Sequence, residues 1–402
     1  MLLAGDYVPQ ACRVRLEMPG DDIVLANLEA PIIASDVRLA PSLKAGPSLR
    51  NDGLGTVSRN FVFNLANNHM MDYGREGLAA TKAVLSSLSI PFCGAGEDLA
   101  AARKPIVVEE CGKKIGIIGC CERQFGCADV ATPGCAEKGF WLFDAIASLK
   151  KECDFVVVSC HAALEHAPLP SPQLRAFYQQ LVEAGADVVH GHHAHVPQGW
   201  EHYKNGVIFY GLGNSVVDVA DWRGRNHRWS LVAQVDFSGT APKVKVIPFG
   251  VSSVGKGEVL AAPLKGEALA FAEDYLAYWN GVLESEARHR GAWQAVCVAL
   301  FDQLYAPLLK APRYAESASL SRRNRLRYLY DGLLTLGAAV RGRRPSNARL
   351  QRDGRALLNF FWCPSHVEAI STALAVESGA EPDFRTPADR EAWTRFGLNA
   401  IG

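Results

Sequence analysis

Short apolar runs alternate with helix-length amphipathic segments along roughly the first 250 residues. Short apolar runs bounded by turn residues predict strands, and apolar positions that recur every three to four residues predict helices. The predicted strands are residues 1–4, 23–26, 61–65, 105–108, 115–119, 155–160, 186–189, 207–210, 231–235 and 244–247. Residues 75–88, with Asp72 as the expected N-cap, and residues 171–184 are predicted helices between them. This alternation is typical of an α/β domain.

The strand signals stop near residue 255, and the rest of the chain has helical periodicity. The predicted helices there are residues 268–286, 291–309, 324–340 and 365–376. A chain of 402 residues is also longer than a single hydrophobic core usually serves. We therefore expect an α/β domain over residues 1–254 and a helical C-terminal region over residues 255–402.

Uncommon polar residues collect just after the predicted strands of the first 200 residues. They are Asp6, Glu29, the run Asn67-Asn68-His69, His161 and the run from Gly191 to His195. Because loops at the carboxyl ends of strands share one rim of an α/β sheet, we expect these side chains to meet. Carboxylates, imidazoles and a carboxamide, with no thiolate among them, suit Mn, Fe or Zn ions.

The spacing of His193 and His195 places two imidazoles on the same side of an extended segment, where they can face adjacent ions. A carboxylate such as Glu29 can bridge two such ions. Two ions about 3.5–4 Å apart would hold and acidify a shared water, which becomes a nucleophile at neutral pH.

The same segments carry a family resemblance over about residues 1–250. In order, they are Gly5-Asp6, Asn27-Leu28-Glu29-Ala30-Pro31, Leu65 to His69 continuing to Asp72-Tyr73-Gly74, His161 with Glu165, Gly191 to His195, and Tyr210 to Asn214. Together they resemble the CapA-type poly-γ-glutamate capsule biosynthesis proteins, a branch of the calcineurin-like metallophosphatase superfamily. The resemblance implies a four-layer αββα sandwich with a dinuclear metal site.

The resemblance also implies a role for each motif residue. One ion would bind Glu29, Asn68, His161 and His193, and the other would bind Asp6, Glu29 and His195. His69 would be the catalytic histidine that binds no metal and helps to protonate the leaving group. Glu165 and Asn214 are candidates for the substrate side of the site, although an asparagine in a glycine-rich turn is also common for backbone reasons.

Three positions depart from the pattern of the superfamily. Glu29 replaces the usual bridging aspartate, as is common in this branch. Val8 stands where many metallophosphatases have a histidine, so the Asp6 ion has one imidazole fewer and the two ions should differ in affinity. Ala162-Ala163 replaces a usual Trp-Gly pair after His161, which changes the local substrate contacts.

Several other polar residues have structural interpretations. We interpret Asp72 as a helix cap, His190 as a strand-end packing residue and His192 as at most a supporting neighbour of the metal ligands. Ser365 and Glu368 are three residues apart before an apolar run, which predicts a capping box around His366.

Charge and cysteine content limit the partners. The chain has 42 basic and 42 acidic residues, so nothing favours nucleic acid or an anionic membrane as a partner. Residues 321–355 nevertheless hold ten arginines against two aspartates, which indicates either a solvated helix face or a site for a polyanion. Eleven cysteines without a Cys-x-x-Cys pair favour a reducing, cytoplasmic location. The first residues lack the basic stretch of a signal peptide and no apolar run reaches membrane-spanning length, so we expect neither feature in this chain, although a trimmed start stays open.

We therefore expect a cytoplasmic, dinuclear metal-dependent hydrolase of the CapA type. Its metal-bridged hydroxide would attack an acidic amide or a phosphoester in a small molecule or a capsule-like polymer, and capsule-synthase subunits are candidate partners. Two alternatives stay open. One is a generic phosphomonoesterase or phosphodiesterase, and the other is a non-catalytic component of a polymer-synthase assembly.

Overall fold

The computed structural model describes residues 1–9, 13–17, 22–42, 48–54, 60–217, 228–255, 258–306 and 360–397. Its strands are β1 (Leu2–Val8), β2 (Arg13–Leu16), β3 (Val24–Leu28), β4 (Phe61–Asn64), β5 (Phe92–Cys93), β6 (Ala95–Gly96), β7 (Ile106–Glu110), β8 (Lys113–Cys121), β9 (Gly134–Cys135), β10 (Phe155–His161), β11 (Val188–His192), β12 (Trp200–Tyr203), β13 (Gly206–Phe209), β14 (Asn214–Val217), β15 (Trp229–Asp236), β16 (Lys243–Gly255) and β17 (Glu258–Pro263). Its helices are α1 (Gly74–Ser87), α2 (Leu99–Ala102), α3 (Trp141–Leu149), α4 (Pro172–Glu183), α5 (Gly266–Leu283), α6 (Glu286–Leu300), a π-helical turn (Phe301–Tyr305), α7 (Pro364–Glu377) and α8 (Pro387–Phe396).

Two large sheets form the centre of the molecule. The first has the order β2-β17-β16-β15-β1-β3-β4-β5, with β14 paired to β1, and the second has the order β12-β13-β11-β10-β8-β7. Strands β1, β3 and β4 are parallel neighbours in the first sheet, and β8, β10, β11 and β13 are parallel neighbours in the second. Parallel strands place their following loops at one edge of the sheet, which is where the predicted site residues lie.

The sheets face each other across a shared apolar interior. Leu3 and Leu25 of the first sheet and Ile117, Val157 and Val188 of the second belong to one cluster of buried side chains. Alternate residues of the same strands point outward, because side chains alternate between the two faces of a strand.

Helices cover both outer faces. Leu2 and Val24 pack in one cluster with Leu78 of α1, and a separate cluster joins the outward face of β10 to α3 and α4. The order of layers is helix, sheet, sheet, helix, so the expected four-layer αββα sandwich is confirmed.

The C-terminal helices extend the interior cluster. Tyr275 and Trp279 of α5, Trp293 of α6 and Phe396 of α8 are buried in it together with Trp229 of β15. The rings of Trp229 and Tyr275 meet edge to face, with centroids 5.2 Å apart. These aromatic side chains bury large apolar areas, so they anchor the helices to the sheets.

The strands continue further along the chain than the sequence pattern predicts. β17 pairs with β16 and β2 after residue 255, with Val259 and Ala261 buried. The expectation that strands stop near residue 255 is therefore wrong by one strand, and the division into residues 1–254 and 255–402 stays a prediction. The predicted helix 324–340 and the arginine-rich stretch 321–355 lie outside the described residues. Among the helices in the described ranges, none combines the length and apolar character needed to span a bilayer.

Candidate metal centre

Loops after five parallel strands bring the predicted metal ligands into one buried site. Asp6 lies near the end of β1, Glu29 follows β3, Asn68 and His69 follow β4, His161 ends β10, and His193 and His195 follow β11. All of these side chains are buried except that of Asn68, which is half-buried. The side chains meet as the strand-end argument predicts, but their strands belong to two facing sheets rather than to the single sheet that the argument assumed.

Two carboxylates contact the same two imidazoles. Glu29 Oε1 lies 3.3 Å from His161 Nε2 and 3.7 Å from His195 Nε2. Asp6 Oδ1 lies 3.7 Å from His161 Nδ1, and Asp6 Oδ2 lies 3.4 Å from His195 Nδ1. Asn68 adds its Oδ1 atom 3.1 Å from His161 Nε2.

The donor atoms fit divalent cations. Neither carboxylate oxygen of Glu29 has a hydrogen-bond partner among the described residues, although the side chain is fully buried. A buried carboxylate without such partners carries a large desolvation cost, which a cation would offset. Two groups of potential ligands include it, and they are Glu29 with His193 and His195, and Asp6 with Glu29 and His161. Glu29 is thus common to two groups of potential ligands.

The two carboxyl groups of the site have pKa values that are shifted in opposite directions. Burial alone would raise the pKa of Asp6, but hydrogen bonds with His161 and His195 and the positive charges of these rings hold it well below its usual value. Burial and the neighbouring Asp6 charge raise the pKa of Glu29 to about 8. Burial disfavours the charged form of His195, yet the Glu29 and Asp6 carboxylates outweigh it and raise the pKa of this ring. The raised pKa of Glu29 means that its ionised form is costly beside Asp6 in this buried site, and a bound cation would offset that cost.

The loop after β11 has an unusual backbone. His193 and His195 have φ angles of 84° and 57°. This left-handed region costs a non-glycine residue about 1–3 kcal/mol and occurs often at functional sites. His166 N donates to the Ala194 carbonyl at 2.8 Å, which pins the loop between the two histidines.

Asn27 and Asn67, to which the sequence analysis gave no role, form hydrogen bonds around the predicted ligands. Asn27 Nδ2 donates to Asp6 Oδ1 at 2.8 Å. Asn67 Nδ2 donates to Asn27 Oδ1 at 3.2 Å, and Asn67 Oδ1 accepts from the backbone N–H of His69 at 3.1 Å. Both residues lie in motifs already quoted for the resemblance, so their position was visible but their role as supports was not.

His69 is paired with Asp72. Its Nδ1 atom lies 2.8 Å from Asp72 Oδ2, which also accepts the Leu49 backbone N–H at 2.6 Å. Helix α1 begins after Tyr73 and has no side-chain N-cap bond. The interpretation of Asp72 as a helix cap is therefore wrong, because the histidine and a neighbouring loop take its carboxylate.

The remaining candidates lie around the same centre. Asn214 Oδ1 lies 3.2 Å from His195 Nδ1. Glu165 is partly exposed beside His166, at 3.9 Å. Burial opposes ionisation of Glu165, but nearby charges, led by that of His193, hold its pKa below the usual value. Both residues lie beside the predicted ligands. Their role on the substrate side stays a prediction.

His190 and His192 join the two sheets. His190 Nε2 donates to the Ala4 carbonyl at 3.0 Å, and burial lowers the pKa of this ring to about 3, in keeping with a packing role. His192 is closer to the ligands than expected, since its Nδ1 atom lies 3.6 Å from Asp6 Oδ1. Its Nε2 atom contacts Ser159 Oγ at 3.1 Å.

Glu122, which the sequence analysis also missed, contacts His193. The residue follows β8, is 2% exposed, and places Oε1 3.2 Å from His193 Nε2. Burial would raise the pKa of Glu122, but contacts led by that with His193 hold it below its usual value.

The predicted capping box is wrong. Helix α7 has Cys363 at its N-cap position and no side-chain capping bond, and Ser365 Oγ donates to Glu122 Oε2 at 2.5 Å instead.

Comparison with known proteins places this site in a family context. Residues 5–219 match the family model described as bacterial capsule synthesis protein PGA_cap. The chain is 31% identical to the capsule biosynthesis protein CapA of Bacillus anthracis, covering 50% of this chain and 52% of that protein. It is 34% identical to the PGA biosynthesis protein CapA of Bacillus subtilis, covering 52% and 54%. It is 32% identical to a probable polyglutamine synthesis accessory protein of Mycobacterium tuberculosis, covering 59% and 68%. The chain thus spans about half the length of the two Bacillus relatives.

Proposed function

The chain belongs to the bacterial capsule synthesis protein family PGA_cap, and from that premise we propose that it is a dinuclear metal-dependent hydrolase acting on an acidic amide or a phosphoester. One observation carries the proposal. Glu29 follows a strand of the first sheet, is fully buried, and its carboxylate oxygens have no hydrogen-bond partner among the described residues. His161 and His195 of the facing sheet lie 3.3 Å and 3.7 Å from its Oε1 atom. This arrangement is costly for a protein that binds no cation there.

The proposed ligands are those predicted from the motifs. Glu29 would be shared, with Asp6, Asn68, His161, His193 and His195 completing the two coordination shells. The mixture of imidazole, carboxylate and carboxamide donors favours Mn, Fe or Zn. When bound, such ions would acidify water and polarise a substrate oxygen.

His69 would move the proton. Its contact with Asp72 holds Nδ1, so a proton transferred to a leaving group would be carried by Nε2. Asp72 is a fully buried carboxylate, and its charge would stabilise the imidazolium form during the transfer.

The substrate class follows from the relatives and from the chemistry of the site. The names of the matched relatives refer to capsule, PGA and polyglutamine synthesis. A polymer of an amino acid such as glutamine is joined by amide bonds, which is the reason for including amides among the proposed substrates. We propose that an anionic polymer or a small anionic fragment of it is the substrate and that synthase subunits are partners. The cytoplasmic location inferred from the cysteine content stays a prediction.

Metal analysis and a substrate panel test this function together. We expect close to two transition-metal ions per chain as purified or after loading with Mn, and cleavage of γ-glutamyl amides or phosphoesters. His193→Ala and Asn68→Ala should lower both metal content and turnover, whereas His202→Ala, at an exposed histidine of β12, should change neither. A chain that stays below one ion after loading would refute the proposal.

A non-catalytic role is the second candidate. The Mycobacterium relative is named an accessory protein, and Val8 occupies the position of a ligand histidine in many metallophosphatases. Full metal loading without turnover on either substrate class, together with binding to a polymer synthase that survives loss of His193, would favour this role. Turnover of simple phosphoesters alone would favour a generic phosphatase.

A further inference from the structure

We propose that Glu122 is a positioning residue for His193, and that helix α7 of the C-terminal region holds Glu122 in place through Ser365 and Cys363. The inference rests on the proposed function, because it takes His193 to be a metal ligand. It adds a role for residues that lie outside the matched family region, which ends at residue 219.

The two nitrogens of His193 have different surroundings. Nε2 lies 3.2 Å from Glu122 Oε1, whereas Nδ1 is buried and has no hydrogen-bond partner within the described ranges. A histidine that binds a cation through one ring nitrogen commonly donates the other N–H to a carboxylate. Glu122 would therefore keep the proton on Nε2 and leave the Nδ1 lone pair for the ion.

Gln124 completes this arrangement. Its Nε2 atom lies 2.7 Å from His193 Nε2, 3.0 Å from Glu122 Oε1 and 3.3 Å from Cys363 Sγ. The contact with His193 Nε2 is a hydrogen bond only while that nitrogen is unprotonated, because two N–H donors repel each other at this distance. When Nε2 carries the proton, the Gln124 amide has to move away from the ring, and its two N–H groups can then go to Glu122 and Cys363.

Glu122 is held by the first turn of α7. Ser365 Oγ donates to Oε2 at 2.5 Å and Cys363 Sγ donates to Oε1 at 3.2 Å. The carboxylate is 2% exposed, so water cannot easily replace a lost donor. Leaving a buried acceptor without a donor costs more free energy than the hydrogen bond contributed. If Ser365 lost its hydroxyl, the Glu122 carboxylate would therefore rotate towards another donor. The position of α7 therefore determines the orientation of Glu122 and, through it, of His193.

The test measures metal affinity rather than turnover. Metal-free full-length protein is titrated with Co²⁺ and Mn²⁺, using wild type, Glu122→Gln, Ser365→Ala, Ser365→Thr and His193→Ala. Ser378→Ala is the matched control, because Ser378 ends the same helix, is exposed and bonds only locally to the Ala375 carbonyl. Melting temperatures of the metal-free variants show whether each one folds as wild type does.

We expect Glu122→Gln and Ser365→Ala to weaken Co²⁺ affinity by about tenfold to a hundredfold, the usual effect of losing a carboxylate behind a ligand histidine. Their Co²⁺ absorption bands should shift, while Ser365→Thr, which keeps the hydroxyl, and Ser378→Ala should match wild type. If Glu122→Gln and Ser365→Ala bind as wild type does while His193→Ala loses an ion, the positioning role is refuted and the proposed function stands. If His193→Ala also binds normally, both fail. A thiolate-to-Co²⁺ charge-transfer band that Cys363→Ser abolishes would make Cys363 a ligand and would also refute the positioning role.

Discussion

His289 gives the C-terminal helices a measurable sensitivity to acid. This residue of α6 is 2% exposed, and its Nε2 atom donates to the Pro170 carbonyl at 2.8 Å, just before α4. Burial is the main reason that its pKa falls from 6.5 to about 4. Because the folded protein resists protonation of this ring, stability is complete above pH 6.5 and is lost as the pH falls towards 4.

The size of the effect follows from the two pKa values. A separation from 6.5 to about 4 corresponds to about 3 kcal/mol once both states are protonated. Between about pH 7.5 and about pH 5, linkage gives a loss of about 2 kcal/mol in the free energy of unfolding from this single group.

The assay compares His289→Gln with wild type by urea unfolding at both pH values. Glutamine keeps an N–H that can reach the Pro170 carbonyl but cannot gain a charge, so this variant should lose about 2 kcal/mol less than wild type on acidification. His202→Gln, at an exposed position of β12, serves as the control and should follow wild type. Parallel pH profiles for wild type and His289→Gln would show that α6 does not bury this ring as described.

Three further predictions concern the packing and the ions. A Cβ atom at Gly5, the residue before Asp6, would overlap the Gly213 carbonyl oxygen. Gly5→Ala should therefore weaken metal binding and lower the free energy of unfolding in urea by about 1–3 kcal/mol. Gly53→Ala, at a position with open space around it, is the control and should lower it far less. Trp279→Ala should cost about 3–5 kcal/mol in the same measurement, because this side chain is 1% exposed and lies in the cluster that joins α5 to the sheets. Removal of metal by a chelator should lower the melting temperature, and added Mn should restore it, since the ions bind only the folded ligand cluster; an unchanged melting temperature would contradict this.

The sequence pattern identified the central strands well and the peripheral strands poorly. Strands such as β8 and β10 are buried on both faces, so they are continuous apolar runs that stand out from their surroundings. β17 alternates half-buried and buried residues and follows a segment already interpreted as the end of the sheet. β14 is short and lies in a glycine-rich turn region, and its pairing with β1 depends on the Asp6 region reaching it in three dimensions.

The meeting of the candidate ligands was predictable in part. Polar residues that follow parallel strands of one sheet reach the same rim. Asp6 and Glu29 belong to one sheet and His161 and His195 to the other, so their meeting also depends on how the two sheets face each other. The supports were not predictable in this way. Glu122 and Ser365 are 243 residues apart and belong to a β8 loop and a C-terminal helix, so no local spacing relates them.

Both wrong capping predictions have the same physical cause. Asp72 and Ser365 each have the chemistry of an N-cap and precede or begin a helix, yet each side chain bonds to a buried group of the site, namely His69 and Glu122. An N-cap contributes about 0.5–2 kcal/mol, and water can replace it at an exposed helix end. A hydrogen bond to a charged group contributes about 1.5–3 kcal/mol, and leaving that group buried and unpaired costs more still. Near a buried cluster of charges, a side chain with capping chemistry is therefore better interpreted as a candidate support for that cluster than as a cap.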